Sequence, residues 1–171
     1  MTMLNQLLWV IFPYLCLAIF VIGHIYRYRQ DQFNWTAKSS EFIEKKHLRA
    51  GSMLFHIGII PVFFGHVSGL GIPKSWMHAL GVNDHMYHIG AVYIGGLFGA
   101  ITLLGMLLLT ARRFTVRNVR RLSSASDMAV NVMLLTIVCM GMFATLVTNA
   151  VQPEFDYRET ISIWFRGLFF L

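Results

Sequence analysis

His56 and His66 stand inside an uncharged stretch running from Ala50 to Pro73, AGSMLFHIGIIPVFFGHVSGLGIP. An imidazole is a good ligand for iron, and hydrocarbon is a poor place for one without a partner. Nine residues separate the two, so on a helix they lie ~15 Å apart along the axis. In a hydrocarbon core ~30 Å thick, one then falls in each leaflet. The spacing describes two ligand positions at two depths, as a stacked pair of haems needs. The plainer alternative is that each imidazole hydrogen-bonds to a neighbouring helix. The pairing, the flanking glycines and the lack of a nearby acid favour ligation.

Those histidines need a rigid rod to hold them. The chain has 171 residues, 56% of them hydrophobic and only 13% charged, about half the charge of an ordinary soluble domain. This is the composition of an integral membrane protein. Four stretches are long and apolar enough to span: about 7–26, 53–72, 87–110 and 128–148. The fold class is therefore all-α, a polytopic membrane helical bundle in one domain, 1–171. Arg27 and Arg29 follow the first stretch rather than precede it, the reverse of a cleavable signal peptide.

Orientation follows from the cations. Arg27, Arg29, Lys38, Lys45, Lys46, Arg49, Arg112, Arg113, Arg117, Arg120 and Arg121 fall in the first and third connections, against Lys74, Arg158 and Arg166 on the other side. Positive charge stays in the cytoplasm, so the N-terminus is expected outside. The same distribution reads the net charge of +6 as topology, with no call for nucleic acid. Cys16 and Cys139 show no metal-ligand spacing and read as small buried hydrophobes. An iron–sulfur cluster held by this chain needs about four such ligands. No phosphate-binding loop, HExxH or nucleophile elbow occurs, and no residue is assigned bond-making catalysis.

Ser39 or Ser40 is placed to cap a short helix from Glu41, and Ser126–Asp127 to begin the fourth span. Beyond Pro153, Ile161, Trp164, Phe165, Leu168 and Phe169 share one helical face, which suits a segment in the outer interface.

Around the second span, ten helical steps leave His56 and His66 about 80° apart in direction, unless Pro61 changes the twist. Gly58, Gly65 and Gly69 clear space for a flat macrocycle or for another helix. Ala91, Gly95 and Gly99 form a second smooth stripe, on the third span. The other histidines read as solvated or interfacial, but His85 and His88 lie on the same side as His66. A quinol bound there would meet an electron acceptor and a proton-accepting imidazole together. Arg27, Arg29, Arg112 and Arg113 are candidates to pair with haem propionates.

Long segments carry a closer likeness. LLWVIFPYLCLAIFVIGHIYRY, DQFNWTAKSSEFIEKK, LFHIGIIPVFFGH, YIGGLFG, LLLTARR, SSASD and FDYRETISIWFR occur in this order. Over essentially its whole length the chain resembles the gamma subunit of respiratory nitrate reductase, a di-haem b-type cytochrome.

The resemblance implies five helices with the N-terminus outside, in the cytoplasmic membrane of a prokaryote. Helix two supplies one axial histidine to each of two b haems and helix five the other two. Carried over, His56 would ligate the iron of the proximal haem and His66 that of the distal haem. Gly65, His66, His85 and His88 are the quinol-site candidates. Electrons from quinol would pass to a beta subunit with iron–sulfur clusters and then to a molybdenum alpha subunit that reduces nitrate. Some family members carry lysine in the outer loop, where this chain reads GVNDHMYHIG. The sequence reaches Leu171 ahead of the implied fifth helix, which leaves a second expectation: a truncated membrane anchor that docks partner subunits without redox activity.

Overall fold

The computed structural model describes residues 2–34, 40–148, 151 and 156–169, and every regular element among them is helical. Four helices have the length and composition to cross a membrane. They are α1 (Met3–Asp31), α2 (Lys46–Gly71), α4 (Asp84–Thr115) and α6 (Ala125–Val147). Shorter helices are α3 (Lys74–Ala79), α5 (Arg117–Leu122) and α7 (Ile161–Gly167). Each expected span is present, and each extends past its apolar stretch into flanking polar residues. Backbone hydrogen bonding does not stop where hydrophobicity does.

The chain divides into two compact units, Met1–Lys38 and Ser39–Leu171. In the first, α1 exposes Leu8, Trp9, Phe12, Ile19 and Ile22. An all-round apolar helix with no buried face has lipid as its natural solvent. Pro13 sits at the start of the α-helical stretch that follows a π turn at Leu7–Ile11. A widened turn relieves the missing donor there.

The second unit is organised by α4. In lipid the hydrophobic effect does not drive helices together, so close backbone approach must. On α2, a Cβ at Gly58 would collide with the Thr102 side chain and backbone and lie 2.7 Å from the Phe98 carbonyl oxygen. On α4, a Cβ at Gly105 would lie 2.8 Å from the Phe55 Cα and 2.9 Å from the Gly51 carbonyl oxygen. The α2–α4 seam is thus backbone against backbone. Gly99 turns to α6, where its Cβ would stand 2.5 Å from the Met142 sulfur. The glycines expected to serve either packing or a macrocycle therefore separate: Gly58 and Gly99 pack, while added Cβ atoms at Gly65 and Gly95 meet nothing within 4 Å.

Helix starts differ from expectation in two places. At α6 the cap is Ser124, not Ser126: its Oγ accepts from Asp127 N at 3.1 Å and Asp127 returns the bond to Ser124 N at 2.9 Å. The reciprocal box needs an acid three residues after the serine, a spacing Ser124 has and Ser126 lacks. At the first connection, residues 41–43 make a turn rather than a short helix, and Ser39 lies outside the described residues. Ser40 is diverted, its Oγ accepting from Arg112 Nη1 at 3.0 Å. Glu44 does the capping instead, accepting from His47 N at 2.9 Å at the start of α2. A carboxylate is favoured at that end of a helix.

Cys16 and Cys139 are both exposed on their spans, which corrects the expectation of burial. A small apolar side chain is as comfortable against lipid as inside protein.

Candidate functional site

The second span holds both singled-out imidazoles. His56 Nδ1 is 2.7 Å from the Ser52 carbonyl oxygen and His66 Nδ1 is 2.8 Å from that of Val62, each one helical turn back. A carbonyl can only accept, so in both rings Nδ1 carries the proton and donates. Nε2 then keeps its lone pair, and no hydrogen bond reaches it among the described residues. This is how metal-ligating imidazoles are oriented and made more basic.

α2 runs unbroken through Pro61 to His66, then widens into a π turn at Val67–Gly71. The two rings therefore keep their ~15 Å separation along a single rod. Both are exposed, beside exposed Ile57, Ile60, Phe63 and Phe64. His24 shares the backbone bond, its Nδ1 lying 2.7 Å from the Phe20 carbonyl oxygen. The bond alone does not mark a ligand; His56 and His66 differ from His24 in standing as a pair at two levels of one helix.

No three His, Cys, Asp or Glu side chains converge on a metal-sized space among the described residues. Each imidazole thus offers a single nitrogen donor at its level. That donor set would give a haem iron one protein ligand at each level, and falls short of the ligand count of a self-contained zinc or iron–sulfur centre. Gly65, with open space where its side chain would be, leaves the backbone beside His66 approachable by a flat ring.

At the basic end, Arg112 is not available to a propionate. Its side chain is 4% exposed and fully engaged: Nε donates to Glu44 Oε2 at 2.8 Å, and Nη2 to the Ser40 and Glu44 carbonyls at 2.9 and 2.6 Å. It clamps the first basic connection onto α4. Arg113 Nη1 turns to Ser123 Oγ at 3.4 Å.

The backbone N–H of His47, then Arg112 and the His47 ring, hold the Glu44 carboxyl at about 2 against an ordinary 4.5, although burial opposes this. A depressed carboxyl adds stability that is complete above its ordinary value and is lost as pH falls through its folded one. The melting-temperature gap between the native chain and its Glu44→Gln variant should close between pH 4.5 and about 2. Melting of the detergent-solubilised complex over that range checks it; a gap constant with pH contradicts it.

At the opposite end, α3 lies between α2 and α4, and the 156–169 segment folds back on all three. Lys74 pairs with Asp156 and, at 2.7 Å, with Glu159. Burial works against both charges, yet their hydrogen bond prevails, raising Lys74 and lowering Asp156. Ser162, fully buried, donates to the Gly69 carbonyl at 2.6 Å, and Arg166 Nη1 to that of Leu70 at 3.2 Å. These are carbonyls that the end of a helix leaves without partners. Tyr87 and Tyr157 share a hydroxyl–hydroxyl bond of 3.0 Å packed on Gly69. Burial and Tyr87 push the Tyr157 phenol up.

His85 and His88 stand in the first turns of α4, exposed and half-buried respectively, one residue to either side of Met86–Tyr87. The structure brings Tyr87, rather than either histidine, against the end of α2. Reading the tail as an apolar stripe missed this. Ser162 and Arg158 are its buried side, while Ile161 and Phe169 are exposed.

Known proteins can be set against this geometry. A family profile described as nitrate reductase gamma subunit matches residues 5–171. The nitrate reductase gamma chain of Bacillus subtilis (strain 168) is 47% identical over 166 residues, 97% of this chain and 74% of that one. Respiratory nitrate reductase 2 gamma chain of Escherichia coli (strain K12) is 36% identical over 165 residues, covering 96% and 72%. Nitrate reductase-like protein NarX of Mycobacterium tuberculosis (strain ATCC 25618 / H37Rv) is 39% identical over 170 residues, 99% of this chain but 26% of that longer protein. With four helices able to span a bilayer, the chain belongs to the nitrate reductase gamma subunit family, whose members are subunits of an oxidoreductase.

Proposed function

We propose that this chain is the membrane cytochrome b subunit of a quinol-dependent nitrate reductase in a prokaryotic cytoplasmic membrane. Its N-terminus lies outside, quinol is oxidised at the outer end of α2, and electrons leave at the basic end. There an iron–sulfur beta subunit and a molybdenum alpha subunit receive them for nitrate reduction. Haem b, when bound at the two levels, supplies one-electron carriers that span the bilayer.

The observation that carries this reading is the α2 pair. His56 and His66 sit on one rod, each with Nδ1 tied to its own backbone and Nε2 unbonded. His56 holds the inner group and His66 the outer one. The Ser52 and Val62 carbonyls lock each ring's tautomer and rotation, so neither must reorganise when a ligand binds. Gly65 admits the flat substrate beside His66, and His85 and His88 at the outer end of α4 take up its protons.

Short-chain quinol added to reconstituted complex should redden haem b bands that nitrate then bleaches. Complex that docks its soluble subunits yet shows no haem band under quinol contradicts the reading and supports the redox-silent anchor. Gly65 gives a finer check, because its added side chain meets open protein space. Gly65→Leu should leave assembly intact and raise the KM for quinol at least about tenfold, as expected for a blocked contact worth more than about 1.4 kcal/mol. An unchanged KM would remove Gly65 from the quinol site.

A further inference from the structure

Arg112 and Arg158 are buried among the described residues, and they are partnered very differently. Arg112 engages all three guanidinium nitrogens. Arg158, whose side chain is 3% exposed, leaves Nε and Nη2 with no hydrogen-bond partner among the described residues. Its remaining nitrogen, Nη1, reaches Asp84 Oδ1 only at 3.5 Å. Buried donors are almost always satisfied, and leaving charged ones bare is costly, so this edge calls for an acceptor.

The neighbouring acids among the described residues do not supply it. Asp156 and Glu159 are engaged by Lys74, and Asp84 also faces His78 Nε2 at 3.1 Å. The Tyr87 ring covers one face of the guanidinium, with its centroid 4.0 Å from Cζ. What stays unpaired is the buried Nε–Nη2 edge, a planar two-pronged donor matching the paired oxygens of a carboxylate or phosphate.

Its depth is also defined. Tyr87, beneath Arg158, bonds to Tyr157, and both hydroxyls pack on Gly69. Gly69 lies three residues beyond His66, a rise of ~4.5 Å along α2.

We infer that Arg158 anchors a two-oxygen anion, a carboxylate or phosphate group, carried by a ligand seated at the end of α2 just beyond the level of His66. Two molecules present that chemistry at this depth. One is a macrocycle held by His66 through an acidic side arm, which rests on the function proposed above. The other is a phospholipid, through its headgroup phosphate, which does not.

Arg158→Gln and Arg158→Lys in the assembled complex test it on two arms. The first is a redox titration of the haem bands: removing the cation should lower the midpoint of one band and leave the other in place. The second is native mass spectrometry of delipidated complex titrated with phosphatidylglycerol, where losing the paired donors should weaken binding about tenfold or more. A change on the first arm identifies the macrocycle's acid, and a change on the second identifies the lipid. Both midpoints and the lipid affinity unchanged in Arg158→Gln would overturn the inference. Should that variant fail to assemble, Arg158→Lys, which keeps the charge but not the fork, takes its place: a smaller shift of one midpoint or weaker lipid binding supports the inference, and native values of both overturn it. A native complex without haem would sink the proposed function and leave the lipid arm to judge Arg158 alone.

Discussion

His66→Ala in the assembled complex should abolish quinol-driven nitrate reduction while a soluble reductant that feeds the partner subunits directly still drives it near the native rate. The imidazole is exposed and its one recorded bond goes to its own helix, at Val62. Alanine therefore opens no cavity and orphans no neighbouring helix, and the fold should survive. On the proposed function, what disappears is the iron ligand at the outer level. Changes in the shell around a ligand already cost about 10–100-fold, so loss of the ligand should cost at least about a hundredfold. The comparison of the two electron donors on one preparation separates lost transfer from lost assembly. Quinol turnover within a few fold of native in this variant would remove His66 from the electron path.

Gly58→Ala should strongly destabilise the second unit. Its Cβ would strike Thr102 and approach the Phe98 carbonyl oxygen at 2.7 Å. Two of the atoms met are backbone, which cannot rotate away, so α2 and α4 must separate along the seam. Overpacking of this kind costs about 3 kcal/mol. Here it also removes the close approach that substitutes for a hydrophobic drive in lipid. Gly65→Ala and Gly95→Ala are the controls, since each added methyl meets nothing within 4 Å. Melting of the solubilised complex should show a large drop for Gly58→Ala and almost none for the controls. Equal melting temperatures for all three variants would mean the seam is looser than described.

The spans were legible because lipid imposes one simple rule: about twenty apolar residues with charge at the ends. The histidine pair was legible for the same reason, as two polar residues in a long apolar run. What the residues did not announce was which glycines pack and which stay open, because both uses ask only for a missing side chain. Gly58 and Gly65 look alike in sequence and differ in what stands opposite. The arginines misled in a similar way. Arg112 reads as a topology signal or a propionate partner, whereas Glu44 and Ser40, 68 and 72 residues earlier, consume it. The tail shows the same effect in reverse. Its aromatic stripe drew attention, but Arg158 and Ser162 make the contacts, one with the Tyr87 ring of α4 and the other with the Gly69 carbonyl at the far end of α2. Pairings across long chain separations carry no local signature.

The most direct measurement is the haem content and redox titration of three assembled complexes: native, His56→Ala and His66→Ala. Two b-type centres in the native complex are expected, with one lost in each variant and a different one in each. Substitutions that leave both centres with native spectra and midpoints would contradict the assignment of α2 as the rod that holds iron at two depths.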